Sequence, residues 1–307
     1  MPGGAVKPGQ YVYVVCATSS DHFAEMAAVS MTSLRTVSPR ARIIVLTDLQ
    51  TSAVVTPATS AIRASANDFK VVDCPGDSSF IRSRFLKSNM RRLVDGCFLY
   101  LDSDTFIMRS PDAVWSIDCD VAASPDLGSD GKPYLCTSAL TETSAALGWS
   151  LPARHYLNGG VIYLSDTKGA HAAGELYRVS WMEYQRVLGR SRDQPAFNRA
   201  VRESGARLTE LPLSYNAQIA MNVMTLRHAV VAHYYTGNFE SSSETVAHTV
   251  ARRLKSDGVL DVGAIQGAIR SGNPWRRIDS YGKAAATGRY WYAGRIAFDR
   301  LAKRLSA

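Results

Sequence analysis

Apolar positions along the chain switch between two periods. Residues 11–17 (YVYVVCA) form a continuous β-branched and aromatic run, the pattern of a strand buried on both faces. Thr18, Ser19, Ser20 and Asp21 follow as a polar turn with helix-capping chemistry. From about His22 to Thr36 the spacing becomes helical, with Met26, Val29 and Ser33 on one face and Pro39 closing the unit. Residues 42–47 (RIIVLT), ended by Asp48, predict a second buried strand, so the chain opens as a βαβ unit with a right-handed crossover. Residues 51–69, rich in Ala, Ser and Thr, predict a weaker helix, and residues 70–73 a short strand. In residues 83–94, Phe85, Met90 and Leu93 lie at helical spacing with basic residues opposite. Residues 98–101 (FLYL) read as a strand running into Asp102. Residues 121–123 and 160–164 predict further strands and residues 194–204 a helix. There is no internal repeat and no low-complexity segment. This alternation predicts an α/β domain around a mainly parallel sheet.

Composition changes that picture little. The chain has 307 residues, 46% hydrophobic and 20% charged, enough for one substantial core and ordinary for a soluble enzyme. No apolar run has the length of a membrane span. The Gly/Pro-rich start MPGGAVKPGQ lacks the apolar core of a secretory signal and reads as a frayed leader. Cys16, Cys74, Cys97, Cys119 and Cys136 are odd in number, and no pair has metal-ligand spacing. Free thiols in a reducing, cytoplasmic compartment are expected.

Charge is more informative. Through residue 250 the chain carries 23 bases and 23 acids; beyond it stand twelve bases and four acids, the whole excess of +8. A basic tail suits phosphate, whether of nucleic acid or of an anionic membrane surface, with a solvated basic helix as the plain alternative. From Arg289 onward Trp291, Gly294, Phe298, Leu301 and Leu305 recur at three and four residues, with Arg289, Arg300 and Lys303 mostly opposite. Such a stripe suits a helix lying peripherally on a membrane, and equally one packed on the core or in a homo-oligomer interface. No recognition motif accompanies the charge, so nucleic acid is not expected as a partner. The organisation read from this is a leader at 1–10, a main domain at 11–245 and a basic helical extension at 246–307.

Chemistry concentrates in FLYLDSDTF. An apolar strand there delivers Asp102 and Asp104 at its C-terminal end, where open α/β sheets bind ligands. Two hard oxygen ligands suit Mg²⁺ or Mn²⁺, with diphosphate oxygens completing the shell. Two other readings of the pair stand beside this one. Asp102 can cap a turn while Asp104 is solvated. The run Asp102-Ser103-Asp104-Thr105 also fits a haloacid-dehalogenase-type phosphohydrolase with Asp102 as nucleophile, although no later acidic GDxxxD motif follows and the motif lies far from the N-terminus.

Further motifs favour one reading. YLDSD, the strand and acidic loop from Ala122 to Asp126, Leu157-Asn158-Gly159-Gly160-Val161, Asp193-Gln194 with Asn198, Leu211-Pro212 with Tyr215-Asn216, and the segment Val231 to Gly237 occur in the order found in family 8 glycosyltransferases. Over residues 11 to 240 the chain resembles that family, which contains glycogenin and bacterial lipopolysaccharide galactosyltransferases. The resemblance implies a GT-A fold and retaining transfer of a hexose from a nucleotide-sugar donor, UDP-linked, to a glycan or lipid-linked acceptor. By the same resemblance Asp102, Asp104 and His233 hold Mn²⁺ or Mg²⁺, the mixed oxygen and nitrogen shell favouring Mn²⁺. A lone His after Val-Ala is otherwise an ordinary core or strand-end residue. Ala17, Thr18 and Asp21 are expected at the base and ribose, with Ser103 and Gly237 also at the nucleotide. Capping of the following helix by Ser20 or Asp21 is compatible with that. Arg84 and Lys87 lie on a basic helix where the family places a basic residue against the diphosphate or sugar; Arg84 is favoured, with a solvated helix face as the alternative for Lys87, Arg91 and Arg92. Asp126, Asn158 and Gly159 are expected at the donor sugar, where buried polar groups penalise the wrong epimer, although Asp126 also fits an Asx-turn. Asp193 is expected to hold a donor hydroxyl, or only to cap the helix at Pro195. Gln194 is expected to stabilise the cationic sugar.

The chain departs from the family after its His segment. There the family has GxxKPW, whose Lys grips the diphosphate, while here Asn238-Phe239-Glu240 follows Gly237. Asn273-Pro274-Trp275 is a candidate displaced equivalent, with Arg276 or Lys255 supplying charge. The missing Lys keeps open a noncatalytic sugar-nucleotide-binding or scaffold protein as a further alternative.

Overall fold

The computed structural model describes residues 9–135, 138–150, 154–234 and 245–305, except the side chains of 138, 139, 299 and 301–305. Ten strands and eleven α-helices are described. The first half comprises β1 (Gln10–Val15), α1 (Phe23–Val37), β2 (Arg42–Asp48), α2 (Leu49–Ala53), α3 (Pro57–Ser65), β3 (Asp68–Val72), α4 (Ser79–Leu93), β4 (Phe98–Leu101), β5 (Thr105–Ile107) and β6 (Val121–Pro125). Then come α5 (Ser138–Leu147), β7 (Leu157–Leu164), α6 (Lys168–Leu188), α7 (Gln194–Glu203), β8 (Leu208–Glu210), β9 (Ala217–Gln218) and β10 (Val231–His233). Four helices close the chain: α8 (Val246–Asp257), α9 (Val262–Ser271), α10 (Tyr281–Ala286) and α11 (Tyr290–Leu305).

Seven strands form one sheet in the order β3-β2-β1-β4-β7-β6-β8. β1, β2, β3 and β4 pair in parallel, and β6 pairs in parallel with β8. β7 is reversed against both β4 and β6. The sheet is therefore mainly parallel, as the alternation of strands and helices predicts. β7 begins where β4 ends, so residues at its start face the edge that Asp102 reaches. A second, small sheet has the order β5-β10-β9.

Strand alternation sends apolar side chains to both faces. On one, Val12, Val14 and Tyr100 pack with Leu86 and Met90 of α4, Tyr177 and Trp181 of α6 and Phe197 of α7. On the other, Tyr11, Tyr13 and Leu99 pack with Met31 and Leu34 of α1 and Ile62 of α3. A third cluster joins Met26 and Val29 on the far side of α1 to Phe106, Ala232, Val250 and Ile265. It fastens the small sheet, α8 and α9 to the main body. α6 crosses α4 at Gly174, where an added Cβ would meet the Cβ of Arg91 at 2.5 Å.

Local differences from the sequence reading have physical causes. The weak helix expected over 51–69 is two helices, because Thr56 and Thr59 form a capping box with Pro57 in the first turn. α4 begins earlier than expected because the Ser78 side chain caps it.

Candidate functional site

β4 carries Asp102 to the sheet edge, and the main chain there is pinned. Asp102 N–H donates to Gly160 O at 2.8 Å, and Thr105 N–H donates to Asp102 O at 3.2 Å. That turn presents Asp104 and leads into β5. β10 runs antiparallel to β5 with His233 opposite Thr105, and Tyr234 N–H donates to Asp104 O at 3.1 Å. Backbone pairing thus brings His233 to the carboxylates, with Nε2 3.2 Å from Asp104 Oδ1. Ligand atoms of Asp102, Asp104 and His233 all lie within 4.8 Å of one another. Two carboxylate oxygens and an imidazole nitrogen are a donor set that fits a divalent cation such as Mn²⁺ or Mg²⁺. Burial opposes charge on His233, but the Asp104 carboxylate outweighs it and raises the imidazole pKa.

A relay of side-chain amides extends from this imidazole. His233 Nδ1 lies 2.8 Å from Asn216 Oδ1, and Asn216 Nδ2 donates to Asn158 Oδ1 at 2.7 Å. The amide orientation of Asn216 makes Nδ1 the protonated nitrogen and turns Nε2 toward the carboxylates. Asn158 Nδ2 donates to Asp126 Oδ1 at 2.8 Å, and Gly160 N–H donates to Asn158 Oδ1 at 2.8 Å. Asp126 Oδ2 accepts from Tyr134 and from Gln194 Nε2, both at 2.7 Å. Gln194 Oε1 in turn accepts from Gly159 N–H at 3.2 Å. The structure therefore brings together Asp102, Asp104, His233, Asn158, Gly159, Asp126 and Gln194 from five separate segments. Asn216→Ala should weaken Mn²⁺ binding by about 10–100-fold, the scale for a lost partner of a ligating histidine. Metal titration of the folded variant checks this; unchanged affinity would remove Asn216 from the site.

Beside the carboxylates lies a buried ion cluster. Lys87 Nζ is 3.1 Å from Asp102 Oδ1 and 3.2 Å from Asp193 Oδ2. Arg84 Nε is 3.0 Å from Asp193 Oδ1, without the alignment of a hydrogen bond. Tyr177 donates to Asp193 Oδ2 at 2.7 Å, and Tyr100 donates to Asp102 Oδ1. Burial pushes the Asp193 carboxyl up, but Lys87 and Arg84 together pull it well below the usual carboxylate range.

Two alternatives from the sequence need correction. Lys87 and Arg91 do not lie on a solvated face: each side chain is 2% exposed. Lys87 bridges the two aspartates, and Arg91 donates to the carbonyls of Gly96 and Ser165, both at 2.8 Å. Arg92 alone of the three is exposed. Asp193 makes no side-chain cap to α7, because its carboxylate is turned to Lys87 and Arg84.

At the end of β1, Ala17 N–H donates to Thr51 Oγ1 at 2.9 Å. Asp21 Oδ2 accepts from Thr18 N–H and Oγ1 at 2.8 and 2.7 Å, and Oδ1 accepts from Phe23 N–H at 3.1 Å. Both Asp21 oxygens are thus engaged in closing the turn. A cleft of about 90 Å³ is lined by Cys16, Arg84, Tyr100, Asp102, Ser103 and Asp104, among others. Lys255 of α8 donates to Asp21 O, so this base reaches the β1 edge and not Asn273-Pro274-Trp275. Trp275 is buried and bridges to Thr245. Gly237 and Asn238-Phe239-Glu240 lie outside the described residues.

Sequence reasoning missed the roles of Lys87, Tyr100, Tyr134, Tyr177 and Asn216. Arg84, Lys87 and Arg91 do repeat at three and four residues, the period of one helix face, and that face points inward.

No family model and no curated protein matches the sequence. Solved structures do match. The galactosyltransferase LgtC, in complex with donor and acceptor sugar analogs, aligns with 84% of this chain and 95% of its own, at TM-score 0.53 and 16% identity. GlyE, a glycosyltransferase of Streptococcus pneumoniae TIGR4, aligns with 89% of this chain and 66% of its own, at TM-score 0.51 and 16% identity. The bifunctional glycosyltransferase WbbM aligns with 88% of this chain and 50% of its own, at TM-score 0.51 and 16% identity. The likeness is one of fold: this chain has the GT-A architecture of family 8-like glycosyltransferases.

Proposed function

We propose that the protein is a metal-dependent glycosyltransferase that moves a hexose, with retention, from a UDP-linked donor to a glycan or lipid-linked acceptor. The observation that carries this reading is the Asp102, Asp104 and His233 cluster at the carboxyl edge of a GT-A sheet. These three residues would hold Mn²⁺ or Mg²⁺, whose chemistry there is neutralisation of charge on a leaving diphosphate. Arg84 orients the donor through its guanidinium, which forks onto phosphate or hydroxyl oxygens. Ala17, Thr18 and Asp21 form the edge for base and ribose, with Ser103 at the diphosphate; Gly237, outside the described residues, is assigned to the nucleotide by the family resemblance alone. Asp126, Asn158 and Gly159 fix the sugar pocket, because each is already oriented by the amide relay. Gln194 stabilises developing positive charge on the sugar, and Asp193 positions a donor hydroxyl while tied to Lys87 and Arg84. A carboxylate held that firmly by two cations is a weak nucleophile, which supports front-face transfer over a double displacement.

The tail reading joins this proposal. Ala293 and Ile296 of α11 pack on Ala284 and Ala285 of α10, while Trp291 is 89% and Phe298 71% exposed. Among the described residues no helix is long and apolar enough to cross a membrane. The exposed aromatics support peripheral contact with an anionic membrane surface on its cytoplasmic side. The thiols of Cys16, Cys74, Cys97 and Cys119 are free, in keeping with that compartment.

Calorimetry with UDP, with and without Mn²⁺, tests the donor site. Native protein should bind UDP only with metal, and Asp102→Ala with Asp104→Ala should abolish that binding. Absence of UDP binding under both conditions sinks the uridine reading. Phosphate release without an acceptor would replace it with the phosphohydrolase.

A further inference from the structure

Away from the carboxylate site, a cleft of about 450 Å³ opens where the small sheet meets the C-terminal helices. Three arginines from separate segments line it: Arg109 just beyond β5, Arg227 in the 3₁₀ turn Val223–His228, and Arg270 in the last turn of α9. No Asp or Glu lines the cleft. Among the described residues none of the three arginines has an ion-pair partner within 4.0 Å, whereas Asp257 and Asp261 pair with Arg253 and Asp279 pairs with Lys283. Three positive charges therefore face one hollow whose lining holds no acid. Such a cluster repels itself unless an anion or solvent screens it.

Their arrangement is more than chance exposure. An Arg109 guanidinium nitrogen lies 3.4 Å from Arg227 O, and the Arg227 guanidinium stands 5.8 Å from the Tyr290 ring centroid. Arg270 sits at a helix C-terminus, whose partial negative charge disfavours anions. That end is capped by Gly272 and Asn273 N–H groups bonded back to Ile269 and Ala268 carbonyls. Three full charges also outweigh the roughly half charge of a helix end. Ser271 and Thr287 add hydroxyls to the lining. Forked guanidinium donors with hydroxyls match the tetrahedral oxygens of phosphate.

We propose that this cleft is a phosphate-binding site, taking the phosphate of an anionic phospholipid headgroup or of a soluble phosphoester. The site is independent of sugar transfer, because it shares no residue with the carboxylate cluster. Gly288 is common to this cleft and to a hollow lined by Arg289, Tyr290, Trp291 and Tyr292, so a headgroup held here would bring acyl chains beside exposed aromatics.

The test compares the full-length chain, without added metal, with Arg109→Ser/Arg227→Ser/Arg270→Ser. A control, Arg40→Ser/Arg42→Ser/Arg190→Ser, removes three exposed charges elsewhere. One arm titrates inorganic phosphate by calorimetry. The other floats the protein on phosphatidylcholine vesicles with and without phosphatidylglycerol. The cleft variant should lose about tenfold or more of the affinity that the control keeps. Loss confined to the vesicle arm names the headgroup, and loss confined to the phosphate arm names a soluble phosphoester. Arg270→Ser alone, expected to act in the same direction, serves if the triple variant unfolds. Equal binding by cleft variant and control in both arms overturns the proposal, as does failure of the native chain to bind either probe.

Discussion

Gly160→Ala should abolish metal-dependent UDP binding while leaving a folded protein. A Cβ built on Gly160 lies 2.3 Å from His233 Cε1, 2.8 Å from His233 Nδ1 and 3.0 Å from Asn158 Oδ1. The imidazole is buried and held by Asn216 on one side and Asp104 on the other, so it cannot yield without leaving both. Overpacking of this kind costs about 1–3 kcal/mol of stability, and a displaced ligand costs metal affinity by about tenfold or more. Gly159→Ala is the internal comparison. Its added Cβ would sit 3.6 Å from Lys87 Nζ and 3.7 Å from Asp193 Oδ2, ordinary contact distances. Calorimetry should find Mn²⁺ affinity lost in the first variant and kept in the second. Retention in both would mean that His233 is not a ligand.

Lys87→Met should be the most destabilising single change at the site. The ammonium lies between Asp102 and Asp193, and its removal leaves two carboxylates facing each other with Arg84 as their nearest guanidinium. Breaking a buried pair from one side costs about 3–5 kcal/mol. The effect should depend on pH in a stated direction. In the native protein Asp193 is held below its ordinary pKa by Lys87 and Arg84 against the opposing effect of burial. Its contribution to stability is therefore complete above the unfolded value, about 3.9, and is lost as pH falls below that. Without Lys87 the folded pKa rises, so acid unfolding should begin at higher pH. Denaturant titrations from pH 3 to pH 7 measure both effects. Equal stability of variant and native protein at neutral pH would show the bridge to be energetically neutral.

The parallel half of the sheet and the carboxylate edge were legible in the chain because each rests on a local signal. Residues 11–17 and 42–47 are continuous apolar runs, and FLYL ends on an acid. The reversal of β7 was not legible, because the run at 160–164 reads the same in either direction. The short strands β5, β9 and β10 are two or three residues long, below the length at which periodicity speaks. His233 was reached only through the ordered motifs. The burial of Lys87 was not legible because a basic residue on a helix is normally solvated, and its partners are 15 and 106 positions away in sequence. Tyr100 and Tyr177 are core aromatics whose hydroxyls, invisible to a hydropathy pattern, reach Asp102 and Asp193.

The pairing of β10 with β5 has a consequence for biosynthesis. About 130 residues separate Asp102 from His233, so at ~5–20 residues per second a ribosome needs on the order of ten seconds to supply the imidazole after the carboxylates have emerged. During that interval the nascent chain holds two acids but not the nitrogen donor, and its hold on the proposed metal would be correspondingly weak. The three-residue cluster closes only after β10 has docked, so under the proposed function metal capture would mark a chain whose synthesis has passed residue 233, and a product terminated earlier would compete poorly with it for the ion.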